Sequence, residues 1–436
     1  MSNIEIGLWS FPVLILLIFL RIPIAAAMLG TGIVGTFLVT GKWSIILSQL
    51  KSVAWNTNVN YSLSIIPLFL LMGQFAARGG LSQALFNAAS AFLGHRKGGV
   101  AMAAIGACAG FGSICGSSLA TAATMAQVAL PELRRNGYAG GLSTATLAAG
   151  GTLGILIPPS VVLVLYAILT EQNIAKLFLA AFVPGIIAAI SYLVVIAIYV
   201  RVNPGSAGVV GRLPWRGRIP SLLAVWPVLL IFFLVVGGIY LGWFTPTQAA
   251  AIGAAGTGLV AWIRGGLGQG ALYQCLKETA VSTGMIFFIV LGASIFNSFL
   301  AFSRLPQVGA EWVTAQGYAP MMVLIIILAL YITFGCVMDS LSMIILTVPI
   351  FFPIVTAMDF GLSPEQFAIW FGILVLMVAE IGLITPPVGL NLFIIAAMAK
   401  DVPIHHTYKA ITYFVTADLL RIILLTAFPI ISIFLI

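Results

Sequence analysis

Charge is what this sequence has least of. Asp, Glu, Lys and Arg make up 7% of its 436 residues, where a soluble domain carries about 25%. Such a chain cannot cover itself with groups that water solvates, so a soluble globular fold is excluded. Histidine occurs three times, and the four cysteines (Cys108, Cys115, Cys275, Cys336) show no CxxC or other ligand spacing. No cluster suited to zinc follows from them, and in apolar, Gly-rich stretches cysteine acts as a small hydrophobe. No GxxxxGK[ST] stretch is present, which removes the common ATP-binding loop. The first residues have neither a basic n-region nor a small-residue cleavage site. The first apolar segment is therefore expected to be a retained helix, not a signal peptide.

Apolar residues take the place of charge. They make up 61% of the chain. Runs such as 8–20, 22–39 and 222–241 reach or approach the roughly 20 residues a bilayer crossing needs. The net charge is +8, from 19 Lys+Arg against 11 Asp+Glu. These basic residues sit in short loops between apolar runs, so membrane orientation, not nucleic acid, accounts for them.

The chain also repeats itself. Pro23, Ala26, Ala27, Gly30 and Gly35 recur 223 positions later as Pro246, Ala249, Ala250, Gly253 and Gly258. Gly112, Ser117 and Thr124 recur at the same spacing as Gly335, Ser340 and Thr347. The stretch from Gly154 to Pro159 recurs as Gly382 to Pro387, now 228 apart, as if five residues had been inserted. A duplicated apolar chain interrupted by Gly and Pro is the signature of a secondary transporter built from two repeats.

The pattern predicts an all-α polytopic membrane protein. Spanning helices are expected at about 4–20, 22–40, 60–78, 176–200, 220–241, 243–263, 280–302 and 405–434. Segments 139–170 and 363–399 also cross, but each is broken by a Pro-Pro step. Segments 98–133 and 320–358 carry Gly and small polar residues at mid-length, and read as re-entrant hairpins. The more polar 43–58 and 265–278 read as interfacial helices. The domains are then a first repeat (1–200), a linker (201–220) and a second repeat (221–436).

Loop charge orients these pieces. His95, Arg96 and Lys97 flank the first hairpin on one side and Arg134 and Arg135 on the other, so both flanks are expected in the cytoplasm. The second hairpin has no Lys or Arg on its flanks, 317–319 and 359–365, which are expected outside. Counting crossings from there puts 14 of the 19 basic residues inside, the 201–220 linker in the cytoplasm, and both termini outside. Lys42 and Lys51 run against the count. Hairpins entering from opposite sides make the repeats inverted in topology.

The chemistry should sit at the interruptions. The first hairpin holds Gly110, Gly112, Ser113, Gly116, Ser117, Ser118 and Thr121 within twelve residues. Glycine leaves backbone groups uncovered, and unwound carbonyls with hydroxyls form the oxygen-only set that a hard cation such as sodium takes. Exposed N–H groups at a half-helix start favour an anion. The plainer alternative is close helix packing, which uses the same small residues. The matching hairpin reads Gly335, Asp339, Ser340 and Ser342, with Asp339 at the offset of Gly116. An acid there ligates a cation, takes up a proton, or merely holds the tip by a hydrogen bond. At the breaks, Pro158-Pro159 and Pro386-Pro387 free carbonyls from Gly150 to Ile157 and from Ile381 to Thr385. A kink used only for shape is the alternative. Glu380 is a second acid of undetermined direction. Asp418 and Arg421, at i,i+3, are expected to neutralise one another. His95, His405 and His406 read as loop histidines.

The hairpin from Gly112 to Thr121, the break from Gly154 to Pro159, and above all the stretch from Glu380 to Asn391 (EIGLITPPVGLN) resemble the large membrane subunit of the tripartite ATP-independent periplasmic (TRAP) transporters. The likeness covers nearly the whole chain. It implies an elevator-type fold of the ion-transporter superfamily, with a mobile transport domain sliding on a scaffold. It implies sodium sites on Gly112, Ser113, Ser117, Gly151, Thr152 and Gly154, and on Asp339, Ser342, Gly382 and Thr385. The anionic substrate would lie between the tips, against Ser117, Ser118, Thr121, Ser340, Pro159, Pro387 and Asn391. The partners implied are a small four-helix membrane subunit (Q), expected on a separate chain, and a periplasmic substrate-binding protein (P). The location implied is the bacterial inner membrane.

The function read from all this is sodium-coupled import of small organic acids such as dicarboxylates, sialic acid, keto acids or sugar acids. Asp339 leaves proton coupling open. The rival within the superfamily is an anion:cation symporter that needs no binding protein. An intramembrane enzyme is disfavoured, since the hairpin serines have no membrane His or Lys base. A channel is disfavoured because no charge ring or carbonyl filter can be read. The inverted topology predicts that Arg96→Cys and Tyr318→Cys label from opposite membrane faces with an impermeant thiol reagent. Labelling of both from one face would refute it.

Overall fold

Among the residues described by the computed structural model, 1–268 and 270–436, every regular element is a helix. The first repeat holds α1 (Asn3–Phe19), α2 (Ile24–Thr40), α3 (Trp43–Val59), α4 (Ile65–Arg78), α5 (Leu81–Leu93), α6 (Gly99–Cys115), α7 (Ser118–Arg135), α8 (Gly140–Leu156), α9 (Val161–Leu169) and α10 (Ile174–Val202). Beyond the linker lie α11 (Trp215–Leu223), α12 (Trp226–Phe232), a π-helical turn at Phe233–Gly237, and α13 (Gly238–Tyr240). Next come α14 (Pro246–Ile263), α15 (Ala271–Ser303), α16 (Leu305–Ala315), α17 (Pro320–Gly335), α18 (Ser340–Thr356) and α19 (Pro364–Ile384). The chain ends with α20 (Leu390–Met398), α21 (Ile404–Ala427) and α22 (Ile430–Ile433). Five single helices are long and apolar enough to cross a membrane, which makes this a multi-pass membrane protein.

The helices pack as two groups. In one, α2 lies along α15 and α14 along α4. The duplicated small-residue stripe explains this exchange between repeats. Gly35 on α2 lies against the Phe299 ring of α15, and Gly258 on α14 against the Phe75 ring of α4. In the other group, α8 and α19 form the centre. Every residue of α8 from 141 to 156 and of α19 from 367 to 384 is buried. Around them stand α6, α7, α10, α17, α18, α20 and α21. The short amphipathic α5 and α16 connect the groups in sequence and pack on the hairpins, α5 on α6 and α16 on α18.

Several elements depart from the sequence reading. No helix was expected at 81–93 or 305–315. Both are too short and too mixed in polarity to look like spans, yet they pack one apolar face against a hairpin. The expected separate helices at 265–278 and 280–302 are one continuous helix from Ala271, because no Gly, Pro or Asn interrupts 271–283. Gln269, inside that expected interfacial segment, lies outside the described residues. The matching first-repeat segment does break, at Asn60, whose side-chain oxygen takes the Ser62 N–H at 2.9 Å and starts a 3-10 turn at Tyr61–Ser64. The span expected at 220–241 bends by 45° between α11 and α12. The span expected at 405–434 stops at Ala427, before Pro429, and α22 follows as a separate turn.

Close backbone packing predicts a contrast on one helix. A β-carbon at Gly32 would lie 2.9 Å from the Phe296 backbone nitrogen, which has no freedom to move, whereas Gly30 has nothing within 4 Å. Gly32→Ala should cost about 1–3 kcal/mol and lower Tm by several degrees in detergent. Gly30→Ala should be neutral or stabilising by up to about 1 kcal/mol. Equal melting of the two variants would contradict this packing.

Candidate functional site

Each hairpin turns on a residue whose conformation or side chain allows it. Gly116 ends α6 with φ +64°, in the left-handed region, and its N–H donates to Gly112 O at 2.8 Å. Ser117 then caps α7, accepting the Ala120 N–H at 3.4 Å. The second tip is longer. Between α17 and α18 run Cys336, Val337, Met338 and Asp339, and the Asp339 carboxylate caps α18 through the Ser342 N–H at 3.1 Å. Asp339 thus stands in the structural place of Ser117, not of Gly116 as the 223 offset suggested. It is half-buried within the chain.

The breaks face the tips. The carbonyls of Gly154 and Ile155 would bond to residues 158 and 159, which are prolines without N–H groups, and so α8 ends. Leu383 in α19 meets Pro387 in the same way. Both Pro-Pro bonds are cis. The first break touches the first tip: a β-carbon on Gly116 would lie 3.1 Å from Pro159 O. The second break bonds to the second tip, Gly389 N–H donating to Cys336 O at 3.2 Å. The glycine pairs Gly112–Gly154 and Gly335–Gly382 cross backbone on backbone, so a β-carbon on Gly382 would sit 2.5 Å from Gly335. Close packing is therefore one role of these glycines, beside any role of their carbonyls.

One carboxylate joins the halves. Glu380, 1% exposed on α19, accepts from Ser118 of the first tip with one oxygen and from Ser340 of the second, at 2.7 Å, with the other. Asn391, just past the second break, donates to Ala148 O of α8 at 3.2 Å. Two buried oxygens here have no partner among the described residues, Thr121 Oγ1 and Asn391 Oδ1. Gly151 faces Ser118 and Asn391, and Gly154 faces Thr121 and the Ser117 carbonyl. Hydroxyl, amide and carbonyl oxygens are thus packed closely together between the first tip and both breaks. The starts of α7 and α18 converge on the Glu380 carboxylate, which their dipoles favour.

Not every candidate residue points into this space. The Thr152 hydroxyl donates to Ala149 O at 2.7 Å and meets Tyr192 Oη at 3.0 Å, away from the hairpin. Ser113 bonds back to Gly110 O at 2.9 Å, and Thr385 to Ile381 O at 2.6 Å. Burial divides the two halves. Pro159 is buried, whereas Pro387 is exposed and Thr385 half-buried. The position of Glu380 escaped sequence reasoning, although it is the one acid in the apolar run 366–399. Behind the site, Asp418 and Arg421 pair at 2.8 Å, both almost fully buried, and Tyr192 Oη donates to Asp418 at 2.8 Å. The expected neutralisation is thus observed, with a tyrosine added.

Paired hairpins and broken helices packed on one another are the architecture of a polytopic membrane transporter. Among solved structures, the crystal structure of the Alcanivorax borkumensis YdaH transporter matches with a TM-score of 0.60 over 98% of each chain, at 13% identity. Residues 11–431 match the family described as the tripartite ATP-independent periplasmic transporter, DctM component. The C4-dicarboxylate TRAP transporter large permease protein DctM of Pseudomonas aeruginosa is 38% identical over 380 residues, 87% of either chain. The isethionate TRAP transporter permease protein DctMQ of Oleidesulfovibrio alaskensis is 31% identical over 95% of this chain and 64% of its own length. The chain belongs to the DctM family of TRAP transporter large permeases.

The buried ion pair behind the site yields a test. Arg421→Met leaves Asp418 unpaired and should cost about 3–5 kcal/mol, seen as a large fall in Tm. Adding Asp418→Asn should recover much of that loss. A double variant as unstable as the sum of the single ones would show that the pair is not coupled.

Proposed function

We propose that this chain is the membrane permease of a sodium-coupled importer of small organic acid anions. In this reading, a periplasmic binding protein delivers the substrate and a small four-helix subunit stands beside the permease. The observation that carries the reading is the Glu380 bridge, which holds both hairpin tips to one buried carboxylate. Two relatives are named for C4-dicarboxylate and isethionate, both small and anionic. The DctMQ name, and the third of that protein beyond this chain's reach, support the small subunit as partner.

The first half-site, with unpartnered Thr121 and Asn391 oxygens and the carbonyls of Ser117 and Ser118, suits one sodium ion. The second, with Asp339, Ser340, Ser342 and the carbonyls after Gly382, suits another. Ion binding orders the tips and lowers the cost of accepting the anion, because the ions favour the substrate-competent state. The buried Pro159 and exposed Pro387 indicate entry from the second half-site. Two ion pairs support hairpins inverted in an inner membrane: Arg134–Asp401 ties the end of α7 to the loop before α21, and Lys176–Glu365, at 2.6 Å, ties the start of α10 to the start of α19. The group built on α8 and α19 then moves as an elevator against the α2–α15 and α4–α14 frame.

The test is uptake into proteoliposomes holding all three components, over a panel of labelled organic acids. A sodium gradient should drive accumulation, and an equal proton gradient alone should not. Asp339→Ala should lower sodium-driven uptake about tenfold, as expected for losing a charged cap and ligand. Ser117→Leu should abolish uptake without loss of membrane insertion. Full uptake without sodium, or unaltered sodium dependence in Asp339→Ala, would refute the coupling.

A further inference from the structure

The two tips are far apart in sequence; the first lies against Pro159 and the second bonds to Gly389, while α7 also packs on α20 and α18 on α9. A side chain bonded to both tips would carry the state of one to the other. Glu380 is placed to do so. Its two oxygens are divided between the tips, one for Ser118 and one for Ser340, and its backbone is locked in a helix whose residues from 367 to 384 are all buried. A serine hydroxyl has one proton to donate. Each serine released from the carboxylate leaves a buried acceptor short of a partner, a costly state in a dry interior. Either tip can open alone only by leaving Glu380 under-bonded.

We infer that Glu380 is a positioning residue that latches the two hairpin tips to each other, so that ordering one tip orders the other. The inference rests on the transport reading above, for which it supplies the coupling between the two half-sites. Its role is mechanical, and neither serine need touch the ion for the latch to work. The latch explains why the first residue of α7 and the first residue of α18 are both serines aimed at one carboxylate. A purely local cap would bond within its own hairpin, as Ser117 and Asp339 do.

The experiment reads each tip from the other, in the full chain with its partner subunits and with the four native cysteines replaced. One reporter is Val337→Cys, on the exposed part of the second tip, and the other is Leu119→Cys, on the first. The probe is the rate of reaction with a small maleimide, with no substrate and no sodium. Ser118→Ala should raise labelling of the Val337→Cys reporter about tenfold, and Ser340→Ala should do the same to the Leu119→Cys reporter, the loss expected for one buried hydrogen bond. Glu380→Gln keeps the size of the side chain but only one acceptor oxygen, and should loosen at least one reporter. A serine variant that loosens only its own tip, or a Glu380→Gln variant that loosens neither, overturns the latch. Repeating the rates in sodium separates the two readings. Cross-tip loosening without any sodium protection keeps the latch and sinks sodium coupling, whereas sodium protection without cross-tip loosening does the reverse.

Discussion

Everything in the interior of this protein follows from one constraint: lipid offers no hydrogen bonds to a broken backbone. Two Pro-Pro steps and two hairpin turns leave carbonyls and amides without helical partners at mid-chain. The molecule satisfies them by bringing the interruptions to one another. Gly389 N–H donates to Cys336 O and the Asn391 amide to Ala148 O, while Pro159 packs closely on Gly116. Glu380 then closes the set from both sides. A carboxylate in this place would be costly alone; two hydroxyl donors and two facing helix starts compensate it.

The duplication serves two purposes at different depths. In the outer group it is a packing device. The small faces of α2 and α14 accept the aromatic rings of α15 and α4, each repeat lending its stripe to the other's long helix. In the inner group the copies differ more. The first tip turns in two residues on Gly116 and Ser117, the second in four, with an acid as the cap. The repeat is strict where helices only pack and looser where the chain turns and breaks.

Much of this was legible in the residues. Glycine and proline mark where helices end by mechanisms that act within a few residues, so both hairpins and both breaks fell where the spacing put them. The pairing of Asp418 with Arg421 followed from their i,i+3 spacing and the cost of burying either alone. What stayed hidden depended on tertiary direction. α5 and α16 have too little apolar length to announce themselves, and only the hairpins they cover explain their single apolar faces. Thr152 sits among glycines in sequence, yet its hydroxyl turns to Tyr192, forty residues away. Glu380 was conspicuous as an acid in an apolar run, but no local rule tells which of several neighbours a side chain in a buried helix will meet.

The asymmetry of the two halves has a mechanical reading. The first tip and break are covered: Pro159, Ser118 and Thr121 are buried, and α6 and α7 pack directly on α8. The second opens at Pro387, whose carbonyl is held by the Tyr408 hydroxyl at 2.9 Å. Identical halves would bury both breaks alike. A tight turn on one side and a longer, acid-capped turn on the other instead go with one covered break and one exposed break, and Glu380, bonded to both tips, ties the two unequal sides into one inner group.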